Sequence, residues 1–216
     1  MTTPQPLTNL CLLFGGTSEE HEISLRSARA VRAHLNPQRY AIHHIAITRD
    51  GQWLDEKNSR ALLDGEQYEV TARGPYLPSD VDVVFPVLHG PGGEDGSVQG
   101  WLEMQNIPFV GSGCLGSAMA MDKSVTKHML RSANLPVLPW IDISISDWQD
   151  DALEAASNIA QRFGYPMYVK PTQQGSSVGI SRVENKEQLT SAIDKAFGFS
   201  DYILVEPASE GAEYEV

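Results

Sequence analysis

The chain is poor in the residues that mark several function classes. It has 2 cysteines in 216 residues, Cys11 and Cys114, too few for a disulfide framework. Both stand among apolar or small neighbours and read as reduced, buried thiols. Positive charge is scarce: 16 Lys and Arg face 28 Asp and Glu, for a net charge of −12. So acidic a chain is a poor match for sequence-independent binding to nucleic acid or to an anionic membrane. An anionic ligand would have to be held by a few local cations, backbone N–H groups or metal ions. Long apolar runs are missing too. The first run, residues 10–14, stops at Gly15-Gly16, which is short for a signal segment and far short of a membrane span. The opening Met1-Thr2-Thr3-Pro4-Gln5-Pro6 carries no Lys or Arg, and a cytoplasmic location is expected.

Several motifs are absent as well. There is no G-x-x-x-x-G-K-[ST], no H-E-x-x-H and no C-x-x-C, so a P-loop and the commoner zinc sites are not expected. The six histidines lack ligand spacing on one helix face. His43-His44 falls in a strand-like segment, where successive side chains point to opposite faces. What is present is an ordinary globular composition, 41% apolar and 20% charged, with enough length for one core or two small lobes.

Strands and helices alternate in the first half. Leu10-Cys11-Leu12-Leu13-Phe14 is continuously apolar, as in a strand buried on both faces. Ile23, Leu25, Ala28, Ala30, Val31 and Leu35 then recur at helical spacing, and Asn36-Pro37 stops that helix. Residues 40–47 predict a second strand, Asp50-Gly51 a turn, residues 81–88 a third strand, the residues around Trp101 a helix and residues 107–110 a short strand. Such alternation means a mainly parallel sheet. A boundary is expected near residue 122, after which residues 121–133 and 152–163 predict helices. Beyond Gly164 the pattern changes: strand 167–170, polar loop, strand 179–183, helix 186–197, strand 202–206. Strand, loop, strand is a hairpin, so this lobe should pair antiparallel.

Two short patterns imitate well-known signatures. Gly111-Ser112-Gly113-Cys114-Leu115-Gly116 is a literal G-x-G-x-x-G, but no acid follows at the distance a dinucleotide site needs. A tight strand-to-helix turn fits better. Gly175-Ser176-Ser177-Val178-Gly179 is a literal G-x-S-x-G, but a strand-like segment follows it and the last histidine, His128, lies upstream, unlike a nucleophile elbow. A different phosphate device remains. Lys170 ends a strand and precedes a loop of small polar residues whose N–H groups and hydroxyls can donate to phosphate oxygens. Lys123 is a second candidate cation. A plain hairpin with solvated lysines is the competing reading.

Taken together the motifs resemble those of the D-alanine–D-alanine ligases. Phe14-Gly15-Gly16-Thr17-Ser18-Glu19-Glu20-His21-Glu22-Ile23-Ser24-Leu25 is similar to the opening signature of that family. Leu88-His89-Gly90-Pro91-Gly92-Gly93-Glu94-Asp95-Gly96 is similar to its second signature. Gly111-Ser112-Gly113 with Ala120-Met121-Asp122-Lys123 resembles the entry to its nucleotide lobe, and Val169-Lys170-Pro171 with Gly175-Ser176-Ser177-Val178-Gly179 its phosphate loop. The resemblance runs from Leu10 to Val216. It implies an ATP-grasp fold: an N-terminal α/β parallel-sheet, Rossmann-like domain (1–122), a central α+β lobe (123–206) and the start of a C-terminal lobe truncated at the end of the chain (207–216).

The implied reaction is ATP-dependent joining of two D-alanines through an acyl phosphate, for peptidoglycan synthesis. The implied cofactors are ATP and Mg²⁺ or Mn²⁺, with the metal ligands in the part beyond residue 216. By the same resemblance Glu20 holds the ammonium of the first D-alanine, His89 lines its pocket, and Ser176 links Glu20 to the rest of the site. Lys123, Lys170 and Ser177 contact nucleotide phosphates, Glu206 the adenine edge and Glu213 the ribose. Ser24 and Glu94 support the first pocket. For Glu20 a structural alternative stands beside this, since Thr17-x-x-Glu20 also fits a capping box. Pro207 departs from the family pattern: without an N–H, contacts to the adenine edge there rest on carbonyls. Little or no ligase activity is expected of this chain alone. D-Ala–D-lactate or D-Ala–D-Ser ligation, or a non-catalytic fragment, are the alternatives, and a homodimer is expected by analogy.

Overall fold

The structure, a computed structural model, describes residues 6–70 and 74–212. The chain divides into two compact units, Met1–Ala118 and Met119–Val216.

The first unit is built on β1 (Thr8–Gly15), α1 (His21–His34), β2 (Tyr40–Ile47), α2 (Glu56–Asp64), β3 (Val83–Pro86) and α3 (Ser97–Met104). Its three strands are parallel in the order β2-β1-β3. The apolar run of β1 is central and buried on both sides. Leu10, Leu12 and Phe14 pack with Leu25 and Ala28 of α1 and Leu63 of α2. Cys11 and Leu13 point the other way, to Val98 and Leu102 of α3. Burial explains why the Cys11 thiol is pushed up to about 12 and is inert. The short strand expected at 107–110 is a single parallel bridge, Val84 to Phe109. Pro108, which has no N–H to donate, limits the ladder there.

The ends of β1 and β3 are stitched by one hydroxyl. Ser24 Oγ, fully buried on α1, accepts from Gly15 N at 2.8 Å and donates to Val87 O at 2.5 Å. This fixes where the segments after both strands emerge, and parallel α/β sheets bind ligands at such strand ends. The helix α4 (Cys114–Met121) crosses the division between the units, and the first three residues of the G-x-G-x-x-G motif, Gly111-Ser112-Gly113, are the turn leading into it.

The second unit contains α5 (Lys123–Ser132), β4 (Ile141–Ser144), α6 (Ile145–Asp150), α7 (Ala152–Phe163), β5 (Met167–Pro171), β6 (Ser181–Val183), α8 (Lys186–Phe197) and β7 (Tyr202–Pro207). Its sheet is antiparallel, in the order β4-β7-β5-β6. The hairpin read from the sequence is β5–β6. One face carries Ile143, Met167, Val169, Val183, Ile203 and Val205 against α7 and α8. Each such side chain, fully buried, contributes about 1.5–3 kcal/mol. Because strand side chains alternate, the other face carries Asp142, Tyr168, Lys170, Arg182 and Glu206. Side-chain caps start the helices: Asp122 accepts from Ser124 N and Val125 N at the start of α5, and Asn185 from Gln188 N at the start of α8.

One buried histidine should weaken the first unit in acid. His44 on β2 is 6% exposed, and neither ring nitrogen has a hydrogen-bond partner among the described residues. Burial, then the charges of Arg60 and Arg32, lowers its pKa from 6.5 to about 4, against the opposing pull of Glu56 and Asp64. The folded state therefore binds fewer protons than the unfolded one between these values. Stability is complete above pH 6.5 and is lost as pH falls toward 4, by on the order of 2–3 kcal/mol. Urea unfolding at pH 7 and pH 4.5 should show this loss in the wild type and a smaller one in His44→Leu.

Candidate functional site

In the first unit the candidate residues meet at the ends of the parallel strands. Glu20 is itself the N-cap of α1, whereas a capping box would put Thr17 at the N-cap and Glu20 three residues on, inside the first turn, so that alternative is not realised. Instead its carboxylate lies against Gly90: a Cβ built there would be 2.8 Å from Glu20 Oε2. Ser18 joins the two segments, donating from Oγ to His89 O at 2.6 Å and accepting from Glu20 N at 3.2 Å. His89 Nε2 is 3.1 Å from Ser27 Oγ on α1, and His89 Nδ1 is 3.7 Å from Glu94 Oε1. Glu94 Oε2 also accepts from Gly90 N at 2.8 Å.

Asp95 closes the same turn. Burial works to raise its carboxyl, but N–H bonds from Gly92 and Ser97 outweigh it and hold the group below its ordinary value. Gly16, Thr17, Ile47, Leu88, His89 and the glycines 92 and 93 line a small cleft of about 70 Å³. A half-buried carboxylate and an imidazole beside a small cleft suit a small zwitterion. A larger hollow of about 860 Å³ runs along α2, lined by Glu56, Arg60, Asp64 and Tyr68 among others. It holds none of the candidate residues, so size does not select the site; chemistry does.

In the second unit the cations gather on the polar sheet face. Lys170 Nζ is 2.6 Å from Glu206 Oε1, and Lys127 Nζ is 2.6 Å from Glu206 Oε2. Burial works to raise the Glu206 carboxyl; the hydrogen bonds and charges of Lys127 and Lys170 prevail and lower it. Lys123 donates from Nζ to Gln174 O and from its backbone N to Thr172 O at 2.9 Å, which ties α5 to the loop after β5. Burial, then the nearby Lys170 charge, lowers the Lys123 pKa. Three ammonium groups thus converge where a polyphosphate could be received.

The loop at 172–180 is held from both sides. Gln173 Nε2 donates to Asp122 Oδ2 at 3.1 Å and Gln174 Nε2 to Phe199 O at 3.2 Å. Ser176 and Ser177 have φ of 48° and 62°, a left-handed pair that turns the chain tip and leaves both residues exposed. A Cβ at Gly179 would come 2.6 Å from Pro171 Cγ and 2.8 Å from Phe199 Cδ2, so only glycine lets the loop close there. Glu213 lies outside the described residues. Among the described residues no cluster of three His, Cys, Asp or Glu side chains could hold a metal ion.

Two family models and several known proteins match the chain. Residues 9–112 match the family model "D-ala D-ala ligase N-terminus" and residues 129–216 match "D-ala D-ala ligase C-terminus". A D-alanine–D-alanine ligase of Enterococcus gallinarum is 38% identical, with 96% of this chain and 68% of that protein aligned. The chain belongs to the D-alanine–D-alanine ligase family. A ligase of Deinococcus radiodurans is 41% identical over 96% of this chain.

Solved structures agree with the fold. A Coxiella burnetii D-alanine–D-alanine ligase superposes with a TM-score of 0.81 at 31% identity, covering 94% of this chain and 64% of that one. The VanG D-Ala:D-Ser ligase of Enterococcus faecalis gives 0.80 at 31% identity, covering 95% of this chain and 64% of that one. The family's ATP-grasp architecture, a parallel-sheet N-terminal domain followed by an α+β lobe, is the fold of this chain. It spans 63% of the length of a Geobacillus thermodenitrificans relative to which it is 37% identical.

Lys127 and Ser27 lie outside the quoted family motifs, and Ser18, though inside the opening one, has no role assigned there. For Lys127 a signal existed: it stands four residues after Lys123, which on a helix places both on one side.

The contact between Gly90 and Glu20 can be tested against a neighbour. Gly90 and Gly92 have φ of 72° and 84°, but a Cβ at Gly92 would meet nothing within 4 Å. Gly92→Ala should cost only the left-handed backbone penalty, about 1 kcal/mol. Gly90→Ala carries the same backbone penalty, and the flexible Glu20 carboxylate can swing aside at little further cost in urea unfolding; the displacement should show instead as a shifted Glu20 carboxyl ¹³C resonance in Gly90→Ala and not in Gly92→Ala.

Proposed function

We propose that this chain supplies the first-substrate pocket and the phosphate-binding lobe of an ATP-dependent D-alanine–D-alanine ligase. ATP would supply a phosphoryl group to the carboxylate of the first D-alanine and leave as ADP; attack by the amine of the second on the activated carbonyl carbon then forms the amide bond, with loss of the amine proton and departure of inorganic phosphate. The chain's own residues bind and orient. Glu20 receives the ammonium of the first D-alanine, with the His89 imidazole beside it and Ser18 and Gly90 fixing both. Lys123 and Lys170 hold nucleotide phosphates, and the hydroxyls and N–H groups of Ser176 and Ser177 add donors at the loop tip. Glu206 and Glu213 serve the adenosine side. The catalytic gain from such parts is positioning and charge stabilisation rather than covalent chemistry.

The observation that carries this reading is the convergence of three lysines and a small-residue loop in a chain whose net charge is −12. Those cations are concentrated in one place and fit a polyphosphate. The donor set fits magnesium-bound ATP by its phosphates; the metal's own ligands are assigned to the part of the family's length that this chain does not span. The residues before Met119 form the amino-acid pocket and those after it the nucleotide lobe. VanG, which joins D-Ala to D-Ser, is a structural neighbour. The acceptor is therefore tested by offering D-alanine, D-serine and D-lactate to a protein of full family length.

Binding is measurable on the chain itself. In calorimetric titration ATP should bind the wild type, and Lys170→Ala should weaken it by at least about tenfold, the worth of one charge-assisted phosphate contact. D-alanine affinity should stay the same in that variant and fall in Glu20→Gln. Unchanged ATP affinity in Lys170→Ala would remove the phosphate role.

A further inference from the structure

We propose that Lys127 is a positioning residue for the nucleotide site: it neutralises Glu206 so that Lys170 can turn its ammonium from that carboxylate to an incoming polyphosphate. This rests on the reading that Lys170 meets nucleotide phosphates.

The two lysines on Glu206 are not equivalent. Lys127 takes one oxygen, donates to Leu138 O at 3.2 Å and stands 5.4 Å from the centre of the Trp140 ring. Its side chain is 16% exposed. Trp140 is itself fixed: its Nε1 donates to Asp142 Oδ2 at 2.8 Å, and the Arg131 guanidinium lies 4.5 Å over the ring. Lys127 is thus held by the protein on several sides. Lys170 takes the other oxygen, rests near the Tyr168 ring and is 24% exposed. It is the more accessible of the pair.

Charge decides what each can do. The Glu206 side chain is 8% exposed, and a carboxylate so deeply buried is costly without a partner. If Lys170 were its sole counter-ion, moving that ammonium to a phosphate would leave a bare anion beside a polyanion. Lys170 would then remain locked in its ion pair. With Lys127 in place a neutral Glu206–Lys127 pair remains, and Lys170 and Lys123 are left to face the ligand. Lys127 thus acts through Glu206 and need not touch the nucleotide.

A double-mutant cycle on the 216-residue chain tests this, with ATP and inorganic triphosphate as probes. Lys127→Gln should weaken both by about tenfold, and Lys127→Arg should restore most of the affinity. In a Glu206→Gln background, where no charge needs neutralising, Lys127→Gln should change affinity by less than about twofold. An equal loss in both backgrounds, or none in either, overturns the proposal. A second measurement needs no destabilised variant. In the ¹³C-carboxyl titration of the wild type, Glu206 should remain ionised below the usual carboxylate range and stay so when ATP is added. An ordinary titration, or protonation on binding ATP, overturns the proposal. If the wild type takes up neither probe, the nucleotide reading falls and this role with it; if it binds them without coupling between 127 and 206, only the role of Lys127 falls.

Discussion

The polar sheet face of the second unit is organised around one nearly buried carboxylate, Glu206, ion-paired with Lys127 from α5 and Lys170 from β5 at 2.6 Å each. Positive charges repel, and an acidic chain has few to spend. A single anion between two ammonium groups lets them approach each other, and Lys123 with them, at one point of a sheet face. Half of the arrangement is a consequence of strand periodicity. The alternation that sends Met167, Val169 and Val205 into the core sends Tyr168, Lys170 and Glu206 the other way. The other half comes from α5, capped by Asp122 so that Lys123 and Lys127 stand one turn apart.

The cluster at the strand ends of the first unit rests on a similar economy. Short polar contacts at strand ends hold Glu20 and His89: Ser24 fixes where the segments emerge, Ser18 ties one segment to the other, and Gly90 removes the side chain that would push the carboxylate aside. Turns after parallel strands are where α/β folds place ligands, since backbone N–H groups there have no ladder to satisfy. The two units use different devices: the first sets carboxylates and an imidazole together at its strand ends, and the second gathers cations on a sheet.

Much of this was legible before any coordinates. The apolar run of β1, the 40–47 strand, the hairpin after Gly164 and the helix at 186–197 all announce themselves through periodicity and turn residues. The helix at Glu56–Asp64 was missed because its apolar residues are few and polar side chains cover most of it. Strand Ile141–Ser144 was missed because four residues of alternation are too short to distinguish from loop. Candidate site residues could be named from the sequence where motifs are contiguous, as at Glu20, His89, Lys123 and Lys170. Contacts were not legible where a partner is distant in sequence. Lys127 and Glu206 are joined only once α5 and β7 meet the same polar face, and Ser27 reaches His89 only once α1 packs beside β3. The capping-box alternative for Glu20 could be decided only by seeing where α1 begins.

The most direct test is an ATP titration of the isotope-labelled chain followed by backbone amide and lysine side-chain resonances. Saturable shifts should centre on Lys123, Lys170 and the loop at 172–180, with the Lys170 Nζ signal moving and that of Lys127 nearly still. Shifts centred on the charged hollow along α2, or no saturable shift at millimolar ATP, would contradict the assignment of this lobe to a nucleotide.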